Sequence, residues 1–118
     1  MPASLAFDFH DAVITHVPHA SPQLLSMYVE LYPIMYPDKP RVELAFGHLF
    51  NPIKVIKLVN ALQDEAEEDW IGCRIDAFHY DTKKAATENN LWFFLAVDGF
   101  DGIRIHCREF QITQLKGR

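Results

Sequence analysis

The sequence predicts an α+β domain in which an antiparallel sheet of about six strands carries one packed helix. Five segments alternate apolar with polar residues and a sixth is a continuous apolar run, whereas one central stretch has helical spacing. Segments rich in Pro, Gly, Asn and Asp separate them. With 118 residues, 49% of them apolar, we expect residues 1–118 to form a single domain around one core.

Three strands are predicted in the first half of the chain. Apolar residues alternate within residues 11–17, 24–32 and 41–46, which is the period of a half-buried strand. Pro18 and Pro22 break the chain after the first strand, and three prolines in residues 33–40 break it after the second. The three strands should form a meander.

One helix is predicted in the middle of the chain, from about Pro52 to about Glu68. Asn51 can cap it, and proline fits the first helical position, where its missing N–H costs nothing. Apolar residues then recur at helical spacing. The β-branched stretch "IKVIKLV" leaves a strand open as an alternative for its first part.

The second half should add three strands. Residues 70–80 alternate, and "DTKKAATENN" is a polar loop. "LWFFLAV" is the kind of continuous apolar run that suits a strand covered on both faces. "DGFDG" forms a turn with Gly99 and Gly102. The last strand presents Ile103, Ile105 and Cys107 on one face and continues to Phe110 and Ile112 after a bulge.

Composition narrows the classes of partner. The formal net charge is −5 and the cations are scattered, so nucleic acid is not an expected partner. No apolar stretch approaches the roughly 20 residues that cross a bilayer, and the first twelve residues lack the features of a secretory signal. Cys73 and Cys107 form no CxxC pair and should be two buried thiols. We expect a cytoplasmic protein without membrane contact, metal or cofactor.

His10 and Asp11 are the first candidates for catalysis. They could act as a general base and its orienting carboxylate, but neighbours entering a strand point to opposite faces and should diverge. The favoured interpretation is structural, with Asp11 bonding turn amides and His10 capping the sheet edge. A small metal-dependent or hydrolytic enzyme using His10, Asp11 and His16 remains an alternative. No catalytic residue and no metal ligand is predicted.

Two stretches are predicted to bind a partner. The first is the acidic run before Trp70, which puts five carboxylates into six residues and could steer a basic partner. The second is the proline-stiffened loop around Met35, whose aromatic residues could anchor an interface or could instead cover the open end of the core. The predicted partner-binding residues are Asp64, Glu65, Glu67, Glu68, Asp69, Trp70, Tyr32, Met35 and Tyr36.

Three segments carry a family resemblance: "FHDAVITHV", "VELAFGHL" and "DGFDGIRIHCREFQI". With them the chain resembles small bacterial β-rich immunity proteins, the cytoplasmic antidotes encoded beside polymorphic or contact-delivered toxins. The insert "NPIKVIKLVNALQDEAEED" departs from that pattern. The resemblance implies a protein that is not an enzyme and that occludes the active site of a toxin. The acidic run indicates that the active site of this toxin is basic. A homo-oligomeric structural module, such as a homodimer through the apolar loop, is a further alternative.

Overall fold

The computed structural model describes residues 5–38, 40–81, 83, 87 and 89–115. Its elements are β1 (Val13–Ala20), β2 (Leu24–Glu30), β3 (Arg41–Leu49), α1 (Pro52–Asp64), β4 (Cys73–Tyr80), β5 (Leu91–Val97) and β6 (Ile103–Leu115). The prediction of an antiparallel sheet of six strands with one helix is confirmed. The sheet also closes into a barrel in the order β1-β2-β3-β6-β5-β4, which was not predicted. Half of the predicted loop 81–90 lies outside the described residues.

The barrel consists of two three-stranded meanders, β1-β2-β3 and β4-β5-β6, which α1 connects. They meet along two seams. In the long seam, β3 and β6 pair through eight residue pairs, from Arg41–Leu115 to Leu49–Cys107. In the short seam, β1 and β4 pair only through Val13–Arg74 and Ile14–Cys73. The barrel is therefore closed much more tightly on one side than on the other.

The long seam contains the predicted change of face in the last strand. Cys107 points inward, and Phe110, only three residues later, also packs against the core. No shift of register accompanies the change, because β3 turns over at the same level, where His48 has a φ of 57°. The two strands thus change faces together and remain paired.

The helix begins at Pro52 as predicted, but its end and its N-terminal cap differ from the prediction. It ends at Asp64 rather than near Glu68, because the N–H groups of Glu65 and Ala66 bond in a tight turn to the carbonyls three residues before them. The Asn51 side chain makes no capping bond. It donates to the Arg104 carbonyl (2.8 Å) and accepts from the His106 N–H (3.0 Å), which fixes the start of the helix to β6.

The strand alternative for the first part of the helix is wrong. Four apolar side chains at helical spacing are buried on one face of α1: Val55, Leu58, Val59 and Leu62. The helix borders the turn between β1 and β2 on one side and the turn between β5 and β6 on the other. It therefore packs over the end of the barrel at which those two turns lie.

Aromatic side chains fill much of the barrel interior. Phe78 and Phe93 stack with ring centroids 5.5 Å apart, and Phe46 meets both rings edge-on. Phe9, from the segment before β1, packs edge-on against Phe78 at 5.3 Å. Such T-shaped and offset contacts are the arrangements that aromatic rings favour. The described segment before β1 therefore contributes to the core through Phe9.

Strand β5 is not covered on both faces, contrary to the prediction. Phe93, Leu95 and Val97 are buried inside the barrel, whereas Trp92 and Phe94 lie half-buried on its outer surface. Trp92 stacks on His106 of β6 with ring centroids 3.7 Å apart. The continuous apolar run therefore reflects aromatic contacts on the outside of the barrel, not a second covering layer.

Candidate functional site

The acidic run forms a fixed structure between α1 and β4, which we call the acidic link (residues 64–71). Glu67 and Trp70 exchange two backbone hydrogen bonds of 2.9 and 3.0 Å across a two-residue turn. Within that turn Glu68 has a φ of 57°, a conformation that side-chain-bearing residues adopt rarely and at a cost. The turn holds the Trp70 backbone in place, and 48% of the Trp70 residue surface remains exposed.

A groove of about 460 Å³ separates the acidic link from β1 and β2, and we call it the link groove. Its lining includes Glu68 and Asp69 from the link, and His16 and Tyr28 from the strands. The Trp70 ring meets the His16 ring edge-on at 6.0 Å, and His16 meets Tyr28 in the same way at 6.1 Å. Part of the predicted acidic set therefore shares one concave surface with aromatic rings.

Local hydrogen bonds determine which nitrogen of His16 carries a proton. The Thr15 hydroxyl donates to the Tyr28 carbonyl at 3.2 Å, so its single proton is used. The same hydroxyl oxygen lies 2.9 Å from His16 Nδ1 and must accept there, which makes Nδ1 the donor. In the neutral ring Nε2 is then an acceptor. With the carboxylates beside it, the link groove presents mainly acceptors and suits a donor-rich, cationic partner.

The two cysteines differ from each other. Cys107 is buried as predicted, and burial raises its pKa to about 12. Cys73 is only half-buried, so the prediction of two buried thiols is wrong for it. Burial, and then the charge of Glu65, raises the pKa of Cys73. At neutral pH both side chains are therefore protonated thiols, the weakly nucleophilic form.

The loop with the predicted aromatic anchors is divided between interior and surface. The Tyr36 hydroxyl accepts a hydrogen bond from the Asp8 N–H (3.0 Å), and its ring packs edge-on against Phe7 at 5.8 Å. Tyr32 is half-buried as well, whereas 50% of Met35 is exposed. None of the described residues 32–36 lines the link groove. The acidic link and this loop are therefore separate surfaces.

His10 and Asp11 do not diverge as predicted. His10 Nε2 lies 3.6 Å from Asp11 Oδ2, because Asp11 has a φ of 66° and turns its side chain toward its neighbour. The predicted edge-capping role of His10 is confirmed, since Nδ1 bonds the carbonyl of Asp76 at 3.0 Å. Asp11 bonds the guanidinium of Arg74 at 2.6 Å rather than turn amides.

The residues of the enzyme alternative are divided between two places. His10 and Asp11 lie at the start of the short seam, whereas His16 lines the link groove. Within the described ranges, no three or more His, Cys, Asp or Glu side chains form a group that could hold a metal ion.

Two features escaped sequence reasoning. The first is the outer face of β5 and β6, where Trp92 and Phe94 lie half-buried, because β5 was predicted to be covered on both faces. The second is a groove of about 500 Å³ between residues 5–10 and residues 76–80, which we call the edge groove. The apolar run "LWFFLAV" indicates that both faces of β5 make apolar contacts, but it does not indicate which face lies outside the barrel. The second depends on the register of the short seam, for which no local sequence pattern exists.

Comparison with family models, with curated proteins and with solved structures finds no match for this chain. No helix among the described residues combines the length and apolar character needed to cross a membrane. The acidic link, the edge groove and the outer face of β5 and β6 are therefore the features from which a function can be inferred.

Proposed function

We propose that the protein is a cytoplasmic immunity-type protein, not an enzyme, which binds a bacterial toxin and blocks the toxin's active site. The observation that carries the proposal is the acidic link: exposed carboxylates on a rigid turn, beside a half-exposed tryptophan and a groove lined by acceptors. Buried aromatic anchors surrounded by complementary charge are the usual means by which protein interfaces gain affinity and specificity.

The mechanism would be steric blockade combined with electrostatic complementarity. The carboxylates of the acidic link would face the cationic groups of a basic active site, and would take the place of phosphates if the toxin is a nuclease. Trp70 would supply the apolar contact at the centre of this surface. Met35 and the partly buried Tyr32 and Tyr36 would form a second contact for a toxin large enough to reach their loop.

The strain at Glu68 supports a binding role for this turn. A non-glycine residue at positive φ costs on the order of 1–2 kcal/mol, and glycine would remove that cost. Backbone strain of this kind concentrates at functional sites. A carboxylate at a position that suits glycine is consistent with a role for its charge rather than for backbone stability.

The test is co-purification of the tagged protein with an inactivated copy of the neighbouring gene's product. We expect one stoichiometric partner that is lost at high salt, because ions screen exposed charges. Replacing Asp64, Glu65, Glu67 and Glu68 with Lys should weaken the complex by at least about tenfold without unfolding the barrel. Recovery of the protein without a partner would contradict the proposal.

A matched pair of variants separates position from net charge. Glu67→Lys with Glu68→Lys and Asp101→Lys with Glu109→Lys change the net charge equally, and all four side chains are exposed. Only the first pair should weaken the complex. If both double variants weaken the complex equally, the acidic link acts only through the net charge of the protein. If the first double variant binds with unchanged affinity, the acidic link is not part of the interface. Light scattering of the free protein tests the homodimer alternative.

A further inference from the structure

Within the part of the chain that the structure describes, the outer edge of β4 has no backbone partner over half of its length. On one side β4 pairs with β5 from Ile75 to Tyr80. On the other side, Ile75 exchanges backbone bonds of 2.7 and 2.9 Å with Ala12 and Asp11, and there the described strand pairing stops. The next described contact is made by a side chain, from His10 to the Asp76 carbonyl.

The register identifies which backbone groups face this open edge. Asp81 donates its N–H to the Trp92 carbonyl of the β5 side, so His79 and Ala77 also face β5 in an antiparallel ladder. Phe78 and Tyr80 therefore direct their N–H and C=O groups away from β5. A β-bulge between Ile75 and Ala77 lies where the edge opens. Bulges of this kind commonly terminate pairing or re-aim a strand.

The edge groove runs along this open edge. Its volume of about 500 Å³ is bordered on one side by residues 76–80 of β4 and on the other by residues 5–10. Phe7 and Phe9 contribute apolar lining, and Asp8, His10 and Asp76 contribute polar groups. Unpaired strand edges are templates for another chain, and proteins that do not use them normally cover them.

Negative charge dominates this surface. Arg74 contacts the carboxylates of Asp11 (2.6 Å), Asp76 (3.0 Å) and Asp98 (3.5 Å). Of these carboxylates only Asp76 lines the edge groove, where Asp8 adds a second, and the described lining residues include no Lys or Arg. An added strand at this edge would be favoured if it carried cations.

We propose that the edge groove binds an extended lysine- or arginine-rich segment of a partner protein, which adds to β4 as a new strand. Its backbone would bond the N–H and C=O groups of Phe78 and the N–H group of Tyr80, whose carbonyl already contacts His79 Nδ1 at 2.8 Å. Its cationic side chains would meet Asp8 and Asp76. Main-chain bonds supply affinity in this mode of recognition, and alternate side chains supply specificity. The site is distinct from the link groove and does not depend on the toxin proposal.

The probe is a capped ten-residue peptide that alternates lysine and valine, titrated into the full chain and followed by backbone amide NMR. Two further peptides carry N-methyl groups on either the valine or the lysine amides. In an added strand only one of these two classes of amide faces β4. One methylated peptide should therefore bind about tenfold more weakly, because it can no longer donate to the β4 backbone, and the other should bind normally.

Two variants place the peptide in the groove. Ala6→Trp fills the edge groove and should abolish binding, whereas Ala20→Trp adds the same side chain at an exposed position elsewhere and should not. Lysine substitutions in the acidic link should leave peptide binding intact. Equal binding of all three peptides, or binding that survives Ala6→Trp, would overturn the proposal. Concentration-dependent dimerisation that excludes the peptide would identify a second copy as the occupant and would overturn it as well.

Discussion

The two seams of the barrel differ in length and in what surrounds them. β3 and β6 pair through eight residue pairs, and inside that seam Phe46 and Phe110 pack with ring centroids 5.0 Å apart. β1 and β4 pair through two residue pairs, reinforced by Arg74, which binds Asp11 of the turn before β1. The long seam supplies continuous strand pairing and core. The short seam adds to its two residue pairs the backbone bonds of Ile71, Gly72 and Ile75 with residues 11–15 and a partly exposed ion pair.

Both candidate grooves flank the short seam. Where β1 continues past it, residues 16–18 line the link groove, and where β4 continues past it, residues 76–80 line the edge groove. Because the short seam is short, part of β1 and part of β4 extend beyond the residues that pair with each other. The side of the long seam therefore stabilises the fold, and the side of the short seam carries the two surfaces that we propose for binding.

The largest expected effect comes from the long seam. Phe46→Ala removes a fully buried ring that packs against three other phenylalanines, and should lower the free energy of unfolding by about 3–5 kcal/mol. Phe50→Ala is the matched control, because 46% of Phe50 is exposed, and should cost less than about 1 kcal/mol. Denaturant unfolding measures both. Similar losses would mean that the long seam is not the principal source of stability.

A smaller effect is expected at the short seam. Arg74→Gln removes the ion pairs with Asp11, Asp76 and Asp98 and should destabilise the protein much less than Phe46→Ala does, because these side chains are exposed to screening by solvent. The loss should shrink in 1 M salt. Amides of Gly72 and Ile75 should exchange faster with deuterium while those of Leu44 and Phe46 do not.

The control for that change is Arg108→Gln, which removes an exposed arginine from β6 in the long seam. We expect its stability to remain within about 0.5 kcal/mol of the original. Faster exchange throughout the barrel after Arg74→Gln would mean that the two seams open as one unit, contrary to the comparison.

A third effect has the opposite sign. Glu68→Gly should stabilise the protein by about 0.5–1 kcal/mol, because it relieves a positive φ, and should weaken the proposed toxin complex. Gly99→Ala is the reciprocal control: a methyl group there would meet open space, but φ is 90°, so a loss of about 1 kcal/mol is expected from backbone strain alone. Thermal unfolding compares the two variants. If Glu68→Gly destabilises the protein, Glu68 is not strained, and strain no longer supports a binding role for this turn.

The smallest effect concerns pH. The hydrogen bond of His10 to the Asp76 carbonyl, and then the charge of Asp11, raise the pKa of His10 above its ordinary value of 6.5. A raised pKa means that protonated His10 stabilises the folded state fully below the unfolded-state pKa, and that this contribution is lost as pH rises through the folded-state pKa. His10→Gln should therefore cost more stability at pH 5.5 than at pH 8.5. A cost independent of pH would contradict the assignment.

How far the sequence predicted this molecule depends on whether the determining contacts are local. The strands and the start of the helix follow from periodicity, and the meander of the first half follows from short connections. The end of α1 was predicted too late in the chain, because the turn from Glu67 to Trp70 replaces further helical turns. The acidic composition of this stretch does not indicate such a turn. Closure of the barrel was missed because both seams join strands that are not consecutive along the chain.

The candidate sites show the same division. The five carboxylates and Trp70 could be selected from the sequence as one continuous run. Their neighbours His16 and Tyr28 could not, since their position beside the acidic link follows from the register of β1 on β2 and from the bond of Ile71 to the Thr15 carbonyl. The edge groove has no local signature, because it is defined by where the pairing of β1 with β4 ends.

The most direct test of this account is deuterium exchange of the wild-type protein, free and bound to the inactivated product of the neighbouring gene. We predict that binding slows exchange in residues 64–71 and in the adjoining part of β1, on the side of the short seam, and leaves residues 107–115 of the long seam unchanged. Protection confined to the outer face of β5 and β6, around Trp92 and His106, would contradict the assignment of binding to the side of the short seam.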